Sequence, residues 1–233
     1  MRLPAISWRK TSSLLCASFA LGYFTTPTSL AQETKPIAAK VEESETGWTK
    51  LIASPELEGW QKTNFGGEGE VSFQDGVLKL GSGIPLTGIH YTKKDFPKEN
   101  FEMRWKARRV SGSDFFACVT FPIGEEHCSF ICGGWGGGLI GISSINGNDA
   151  SSNHTARAGS FKNKQWYSFR IRVDEKQLQV WIEGEDEPIQ VERDGNKFSV
   201  RAEVRASRPL GYCGFESEVE VKDWEFRTLE PTK

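Results

Sequence analysis

The amino-acid sequence predicts an all-β fold, a sandwich or jelly roll of two antiparallel sheets. From Trp48 onward, apolar side chains recur at every second residue, which is typical of strands with one face in a core and one in water. Polar turn signals such as Gln74-Asp75-Gly76 separate these segments. No long run in this region has helical spacing. We therefore expect about a dozen short strands.

Three segments show the alternation most clearly. In each of them, a polar or charged residue separates every pair of apolar residues, so one face is expected to be buried. The apolar members are Phe101, Met103, Trp105 and Ala107 in the first segment, Phe169, Ile171 and Val173 in the second, and Phe198, Val200, Ala202 and Val204 in the third.

Two further segments, residues 115–121 and 128–132, are apolar on both faces, which indicates central strands that are covered on both sides. In a two-sheet sandwich, only one face of each sheet meets the other sheet. We therefore predict that these two strands are adjacent and central. Their second face is expected to lie under loops or to form the floor of a cleft.

The first 31 residues predict an export signal. Basic residues precede a short apolar run over 14–24, and Ser29-Leu30-Ala31 offers the small residues that favour cleavage after Ala31. Lipidation at Cys16 is disfavoured because Leu15 stands where a small residue is needed. We expect an exported protein, periplasmic or extracellular, with no integral membrane segment after cleavage.

Residues 32–47 are polar, charged and free of aromatic residues, so they predict a flexible linker before a single domain over 48–230. The whole chain has 29 Lys and Arg residues against 31 Asp and Glu residues. Binding to nucleic acid requires a concentrated excess of basic side chains. We therefore expect no nucleic-acid partner.

Four cysteines follow the export signal, namely Cys118, Cys128, Cys132 and Cys213, and export would make disulfides possible. Cys128 and Cys132 are not expected to pair, since four residues of strand span about 13 Å. We predict a disulfide between Cys118 and Cys132, across a hairpin that turns near Gly124-Glu125. The alternative is that all four are small buried hydrophobic residues.

A glycine-rich run over residues 133–141 surrounds Trp135. It contains a G-x-G-x-x-G pattern, but it leads into an apolar strand and not into a helix, so nucleotide binding is disfavoured. One interpretation is a bulged strand pair in which Trp135 fills a gap in the core. The other places Trp135 at a cleft, where the indole can stack on a sugar ring.

The polar loop over residues 146–155 is dense in amides and hydroxyl groups. Beside an aromatic side chain, such a loop suits a polyol, whose hydroxyl groups both donate and accept hydrogen bonds. The alternative is an ordinary solvated loop. Asp149 with the neighbouring amide oxygens also permits a Ca²⁺-stabilised adhesion module.

Several catalytic motifs are absent from the sequence, among them H-E-x-x-H, C-x-x-C, G-x-S-x-G and the E-x-D-x-x-E arrangement of some glycosidases. Glu125-Glu126-His127 is the best acid/base cluster. Two carboxylates beside an imidazole are expected to raise its pKa and to tune it as a base. The alternative is a solvated hairpin tip.

Several short motifs occur in a characteristic order over residues 48–229. They are Trp48-Thr49-Lys50-Leu51-Ile52, Leu57-Glu58-Gly59-Trp60, Phe65-Gly66-Gly67-Glu68-Gly69, Asp75-Gly76-Val77-Leu78, Asn100-Phe101-Glu102, Gly112-Ser113-Asp114-Phe115-Phe116, the glycine-rich run, Gln165-Trp166-Tyr167 and Val180-Trp181-Ile182. In this order they resemble the 3-keto-disaccharide hydrolase domain family. The resemblance implies a concanavalin A-like lectin/glucanase jelly roll.

The resemblance also implies a substrate class, the 3-keto-glycosides. A ketone at C3 acidifies the C2 proton, so a base at C2 and a donor at O3 suffice to expel the aglycone by elimination, and water then adds back. His127 or Glu126 is the expected base. Arg104, Asn153 or a bound divalent cation is expected to stabilise the enolate.

We expect Trp135, His127, Asp114 and Asn153 to line one cleft, with Asp149 and Arg104 as further substrate-binding residues. The expected partner is an oligosaccharide or glycoside. A non-catalytic, lectin-like glycan-binding module is the competing function, since one fold hosts both classes. Such a module would need the aromatic and amide groups but no tuned base.

Overall fold

The computed structural model describes residues 47–231, which form two antiparallel sheets. The predicted signal peptide, 1–31, and all but the last residue of the predicted linker, 32–47, lie outside the described residues. No helix within residues 47–231 is long and apolar enough to cross a membrane. The elements are β1 (Thr49–Lys50), β2 (Trp60–Lys62), β3 (Val71–Gln74), β4 (Val77–Leu80), β5 (Leu86–Tyr91), β6 (Phe101–Gly112), β7 (Ala117–Ile123), β8 (Glu126–Gly133), a single helical turn (Gly134–Gly137), β9 (Leu139–Ser143), β10 (Arg157–Ala158), β11 (Tyr167–Val173), β12 (Gln177–Ile182), β13 (Ile189–Glu192), a 3₁₀ helix (Ala202–Ser207), β14 (Gly211–Phe215) and β15 (Ser217–Thr228).

The two sheets have eight and seven strands. Sheet A runs in the order β13-β12-β11-β6-β15-β4-β3, with β1 also paired to β15, and sheet B runs in the order β10-β9-β8-β7-β14-β5-β2. Every pairing between these strands is antiparallel. The predicted all-β jelly roll of two antiparallel sheets is confirmed.

Strand β6 shows how the alternating pattern builds the core. Phe101, Met103 and Trp105 are buried between the sheets, and the Trp105 ring stacks on Phe169 of β11 with the ring centroids 5.3 Å apart. The intervening residues point outward, where Arg104 pairs with Glu225 of β15. The predicted one-sided strands at 101–107 and 169–173 therefore exist as expected.

Strands β7 and β8 lie next to each other in the middle of sheet B, as predicted. Their inner face contributes Val119, Phe121 and Phe130 to the core between the sheets. Their outer face carries Cys118 and Ile131, which belong to a second apolar cluster on the far side of sheet B. Both faces of these strands are thus buried, which explains the doubly apolar sequence.

The outer face of sheet B is covered by residues 196–209, which we call the strap. It connects β13 of sheet A to β14 of sheet B. Its first part is held by hydrogen bonds between the backbones of Ser144 and Ser199 in both directions and by one from the Asn146 N–H to the Lys197 carbonyl. Its later part packs Val204 into the outer apolar cluster.

The prediction of a strand over residues 198–204 is wrong. Only Phe198 makes an isolated bridge, to Ile145, and the chain then forms the 3₁₀ helix Ala202–Ser207. Phe198 and Val204 are nevertheless buried. Between them, Val200 is only partly buried and Ala202 is exposed, so the alternating sequence does not correspond to alternating burial where the chain enters the 3₁₀ helix.

The predicted disulfide between Cys118 and Cys132 is also wrong. The structure joins none of the four cysteines of residues 47–231 to another. In the β7–β8 register, Cys132 lies opposite Ala117, whereas Cys118 lies opposite Ile131. A one-residue offset turns side chains to opposite faces, so Cys132 lies in the core between the sheets and Cys118 in the outer cluster.

We expect Trp105→Ala to lower the free energy of unfolding by about 3–5 kcal/mol, because it leaves a cavity between the sheets. Trp181→Ala is the matched control, since its half-buried ring lies on β12 under the Arg170 guanidinium, whose carbon is 3.8 Å from the ring centroid. That change is expected to cost only about 1 kcal/mol. Urea unfolding of both variants measures the difference, and equal losses would contradict the assigned core.

Candidate functional site

A cavity of about 230 Å³ opens on the outer face of sheet B, beside the strap. We call it the Trp135 pocket. It combines an apolar floor with a charged and aromatic rim. The lining residues are Leu86, Phe115, Ile131, Val204 and Phe215 on the floor and Asp114, Trp135, Arg201 and Glu203 on the rim.

Trp135 stands out from the sheet on a left-handed turn. Its backbone has φ 51° and ψ 50°, and Gly133 and Gly136 on either side also have positive φ. Glycine adopts this conformation freely, whereas for a tryptophan it costs about 1–2 kcal/mol. The indole is 46% exposed, unlike the tryptophans of the core. Of the two interpretations of the glycine-rich run, the structure therefore favours the cleft over the core gap.

Asp114 holds the turn that carries Trp135. One carboxylate oxygen accepts a hydrogen bond from the Gly136 N–H at 2.8 Å, and the other accepts one from the Phe115 N–H at 2.7 Å. The Asp114 carbonyl accepts from the buried Arg109 guanidinium at 3.0 Å. Asp114 therefore lies beside Trp135 as predicted, and it positions the indole.

The same Arg109 side chain fixes the surrounding loops. Its guanidinium also donates to the Asn163 side-chain oxygen at 2.6 Å and to the Phe161 carbonyl at 2.9 Å. A side chain at Gly137 would meet the Ser113 carbonyl at 2.8 Å and approach Arg109. The close approach explains why a glycine is needed on this side of the turn.

Arg201 lies between two carboxylates at the rim of the pocket. It donates to Asp149 at 2.9 Å on one side, and on the other it donates to both oxygens of Glu203, at 2.8 and 3.3 Å. The guanidinium carbon is 5.4 Å from the centroid of the Trp135 ring. The Arg201–Glu203 ion pair and the Trp135 indole thus form one continuous rim.

Hydrogen bonds and neighbouring charges keep Arg201, Glu203 and Asp149 ionised. The hydrogen bond from Arg201 lowers the pKa of Glu203, and hydrogen bonding to Glu203 raises the pKa of Arg201. The pKa of Asp149 is lowered mainly by a hydrogen bond from the Ser151 hydroxyl. At neutral pH the rim therefore presents two carboxylates around one guanidinium.

Asn153 does not line the pocket, although it was predicted to do so. Its amide donates to the carbonyls of Ile142, Asn148 and Asp149 at 2.8–3.2 Å, and its oxygen accepts from the backbone and hydroxyl of Thr155. These bonds leave the side chain no capacity for a ligand. Asn153 instead shapes the polar loop that brings Asp149 to Arg201.

His127 lies in a different cavity, which we call the His127 pocket. This cavity of about 320 Å³ is lined by Glu125, Glu126, His127, Phe198, Ser199, Val200, Arg205 and Arg208. His127 and Ile131 point to the same side of β8, so four residues of strand put them about 13 Å apart. The prediction that His127 and Trp135 line one cleft is therefore wrong.

The charges around His127 also differ from the expectation. Burial lowers the pKa of the imidazole, and Arg208 and Lys98 lower it further, whereas Glu125 acts in the opposite direction. Glu125 is paired with Lys98 at 2.7 Å. The Glu126 carboxylate accepts a hydrogen bond from the Phe198 N–H at 2.7 Å and so anchors the strap. The pKa of His127 is therefore lowered overall, because burial and the two cations outweigh the effect of Glu125.

Arg104 lies on the outer face of sheet A, away from both pockets of sheet B. Its guanidinium donates to Glu225 at 3.0 Å and stacks over the Trp48 ring, 4.2 Å from the centroid. The predicted role of Arg104 in stabilising an enolate at the Trp135 pocket is therefore wrong. Arg104 joins β6 to β15 instead.

A cation does not fit the predicted donors. Within residues 47–231, no group of three or more His, Cys, Asp and Glu side chains could hold a metal ion. At Asp149, one carboxylate oxygen accepts from Ser151 and Ser152, and the other accepts from Arg201. The rim of the Trp135 pocket is thus built from ion pairs and hydrogen bonds.

Arg201 and Glu203 were not singled out in the sequence, because they occupied the solvent-facing positions of the strand expected over 198–204. One feature of the sequence could have indicated them: two opposite charges stand two residues apart in the strap, which covers an apolar face of sheet B. That signal gains meaning only once the structure shows that Arg201 directly precedes the 3₁₀ helix and that Glu203 lies in its first turn.

Comparisons with known proteins agree with this architecture. A Bacillus subtilis protein of unknown function with a galectin-like fold is similar at a TM-score of 0.52 and 10% identity, over 80% of this chain and 97% of that chain. The exoplasmic/lumenal domain of VIP36, solved with Ca²⁺ and Man3GlcNAc, is similar at 0.51 and 10% identity, over 78% and 89% of the two chains. The apo Crh5 transglycosylase is similar at 0.50 and 8% identity, over 79% and 85%.

These structural likenesses concern the fold alone, and a comparison with curated proteins found no significant relative. A comparison with models of protein families, in contrast, identifies a family. Residues 47–230, which include every strand of both sheets and the whole Trp135 pocket, match the 3-keto-alpha-glucoside-1,2-lyase-like domain. The chain therefore belongs to the 3-keto-alpha-glucoside-1,2-lyase-like domain family.

Proposed function

We propose that this protein is exported and cleaves 3-keto-glycosides in the Trp135 pocket, by elimination of the aglycone followed by hydration. The observation that carries the proposal is the rim of that pocket, where an exposed indole stands beside a paired guanidinium and carboxylate. Family membership supports the substrate class.

The reaction needs a base and an oxyanion donor close together. A base removes the proton at C2, the electrons move into the C3 carbonyl, and the resulting enolate expels the aglycone oxygen from C1. The aglycone leaves with a proton, and water adds to the enone that remains. Because C2 and O3 are both bonded to C3, the two protein groups must be neighbours.

Glu203 and Arg201 meet that requirement. Glu203 is ionised at neutral pH, so its carboxylate can take the C2 proton. A guanidinium has five N–H donors, and the contacts with Asp149 and Glu203 account for three of them. The remaining donors can stabilise negative charge as it develops on O3.

Trp135 and the apolar floor determine what enters the pocket. The indole offers an exposed aromatic face on which a sugar ring can stack. A cavity of about 230 Å³ is smaller than the typical pocket of roughly 300–1,000 Å³ for a drug-sized ligand. The pocket therefore suits one sugar ring at the end of a glycoside.

The bases expected from the sequence are less well placed for this reaction. His127 lies about 13 Å along β8 from the pocket floor at Ile131, and Glu126 is engaged by the backbone of the strap. We therefore assign the role of base to Glu203. Asp114 and Asn153 act as positioning residues for Trp135 and Asp149.

The decisive experiment is incubation of the protein with a panel of 3-keto-glycosides and the same glycosides without the ketone. We expect aglycone release from the oxidised compounds alone, because only these have an acidic C2 proton. Binding of glycans without any release would favour the lectin-like alternative. No binding and no release would contradict both functions.

Trp135→Ala is expected to raise KM for a 3-keto-glycoside about tenfold, a loss of about 1.4 kcal/mol of stacking and burial. Trp181→Ala is the control, because that indole lies on sheet A and is also half-buried. Steady-state kinetics of both variants measure the effect. Equal KM values for Trp135→Ala and the wild type would place the sugar elsewhere.

Glu203→Gln should lower kcat by a factor of about 10²–10⁴, since the amide cannot accept the C2 proton. In the wild type, the hydrogen bond from Arg201 lowers the pKa of Glu203, so the carboxylate protonates only below the range in which an ordinary glutamate titrates. The rate should therefore be independent of pH above this range and fall in acid. An active Glu203→Gln with an inactive His127→Gln would instead assign the base to His127.

A further inference from the structure

Two of the four cysteines face each other on the outer side of sheet B. Cys118 of β7 and Cys213 of β14 are direct partners in the antiparallel register. Such partners have Cα atoms about 4.5 or 5.5 Å apart, and both distances lie within the range of about 4.4–6.8 Å that a disulfide requires. The geometry that rules out Cys118 with Cys132 thus favours Cys118 with Cys213.

Of the two residues that lie opposite Cys213 on the neighbouring strands, only Cys118 carries a sulfur atom. The other partner of Cys213 across the sheet is Gly88 of β5, and a Cβ at Gly88 would lie 2.6 Å from the Cβ of Cys213. The missing side chain gives Cys213 room on that side. On the far side of Cys118, the row continues with Ile131.

These two cysteines also belong to the apolar cluster that forms the floor of the Trp135 pocket, although they do not line the cavity themselves. They share the outer apolar cluster with Leu86, Phe115, Ile131 and Val204, and all four of those residues line the cavity. A bond between β7 and β14 would therefore tie together the strands under the pocket.

We propose that Cys118 and Cys213 form a disulfide that underlies the floor of the Trp135 pocket, whereas Cys128 and Cys132 stay reduced. Two S–H bonds break and one S–S bond forms, and the two protons and two electrons pass to a small-molecule or protein disulfide, which becomes two thiols. Export to an oxidising compartment would supply such an acceptor.

Burial determines when this bond can form. Both sulfurs are buried, and the hydrogen bond with Cys118, together with burial, raises the pKa of the Cys213 thiol, so the reactive thiolate is rare in the folded protein. The strap must therefore be open, as it is during folding, when the cysteines react. Once the strap has closed, the same burial protects the disulfide from reductants.

The remaining cysteines serve as internal controls. Cys128 lies opposite Phe121 and Cys132 opposite Ala117, and both are buried in the core between the sheets. Neither has a cysteine as its partner in the pairing of β7 with β8. They are therefore expected to react with an alkylating agent after unfolding, whatever the state of the other pair.

The test is refolding of the full chain in a buffer of reduced and oxidised glutathione, followed by unfolding in iodoacetamide and peptide mapping by mass spectrometry. The expected result is one cross-linked peptide pair that contains Cys118 and Cys213, with Cys128 and Cys132 alkylated. Alkylation of all four cysteines, or any other cross-link, would overturn the proposal.

Thermal unfolding provides a second measurement that does not depend on peptide recovery. The disulfide closes a loop of nearly 100 residues, so reduction should lower Tm by on the order of 10 °C. The Cys118→Ala/Cys213→Ala variant should show no dependence on reductant, whereas Cys132→Ala should keep the shift of the wild type. A reductant-insensitive wild type would contradict the bond even if the double variant failed to fold.

Discussion

The constraint on which the structure depends is that strands β7 and β8 are apolar on both faces. Sheet A covers one face, and the other must be covered by a segment that belongs to neither sheet. The strap performs this role, and it packs Val204 into the apolar cluster on the outer side of sheet B. Where its cover is incomplete, the uncovered floor becomes the Trp135 pocket. The pocket is therefore a consequence of how the second apolar face is closed.

The rim of the pocket depends on polar groups that are satisfied within the fold. The buried Arg109 joins the Asp114 carbonyl to the loop at Phe161, and the Asp114 carboxylate then holds the turn that exposes Trp135. On the opposite side, Asn153 folds the loop that presents Asp149 to Arg201. Because a buried donor or acceptor without a partner is costly, these networks restrict the rim to one arrangement.

The sequence predicted those features that depend on the period of the side chains. Alternation identified β6 and β11, and two-sided apolar character identified β7 and β8 as central strands. Period alone cannot determine register, however, and a difference of one residue between β7 and β8 decides whether Cys118 lies opposite Cys132 or Ile131. The strap shows the same limit, since its alternating sequence predicted a strand, whereas the chain forms a 3₁₀ helix over Ala202–Ser207.

The site residues also divide into those that the sequence alone could indicate and those that it could not. Trp135 and Asp114 could be chosen from the sequence because each lies at an unusual local feature. Trp135 lies within the glycine-rich run, and Asp114 directly precedes the hairpin that is apolar on both faces. Arg201 and Glu203 could not, because their position depends on the path of the strap over a distant strand. His127 was chosen for its neighbours in the chain, but its place near the start of β8 puts it in the His127 pocket, about 13 Å from Ile131. A jelly roll supports both binding and catalysis, so the chemistry of this chain depends on its strap more than on its sheets. The sheets provide an apolar floor, and the strap adds the adjacent carboxylate and guanidinium that the proposed elimination would require.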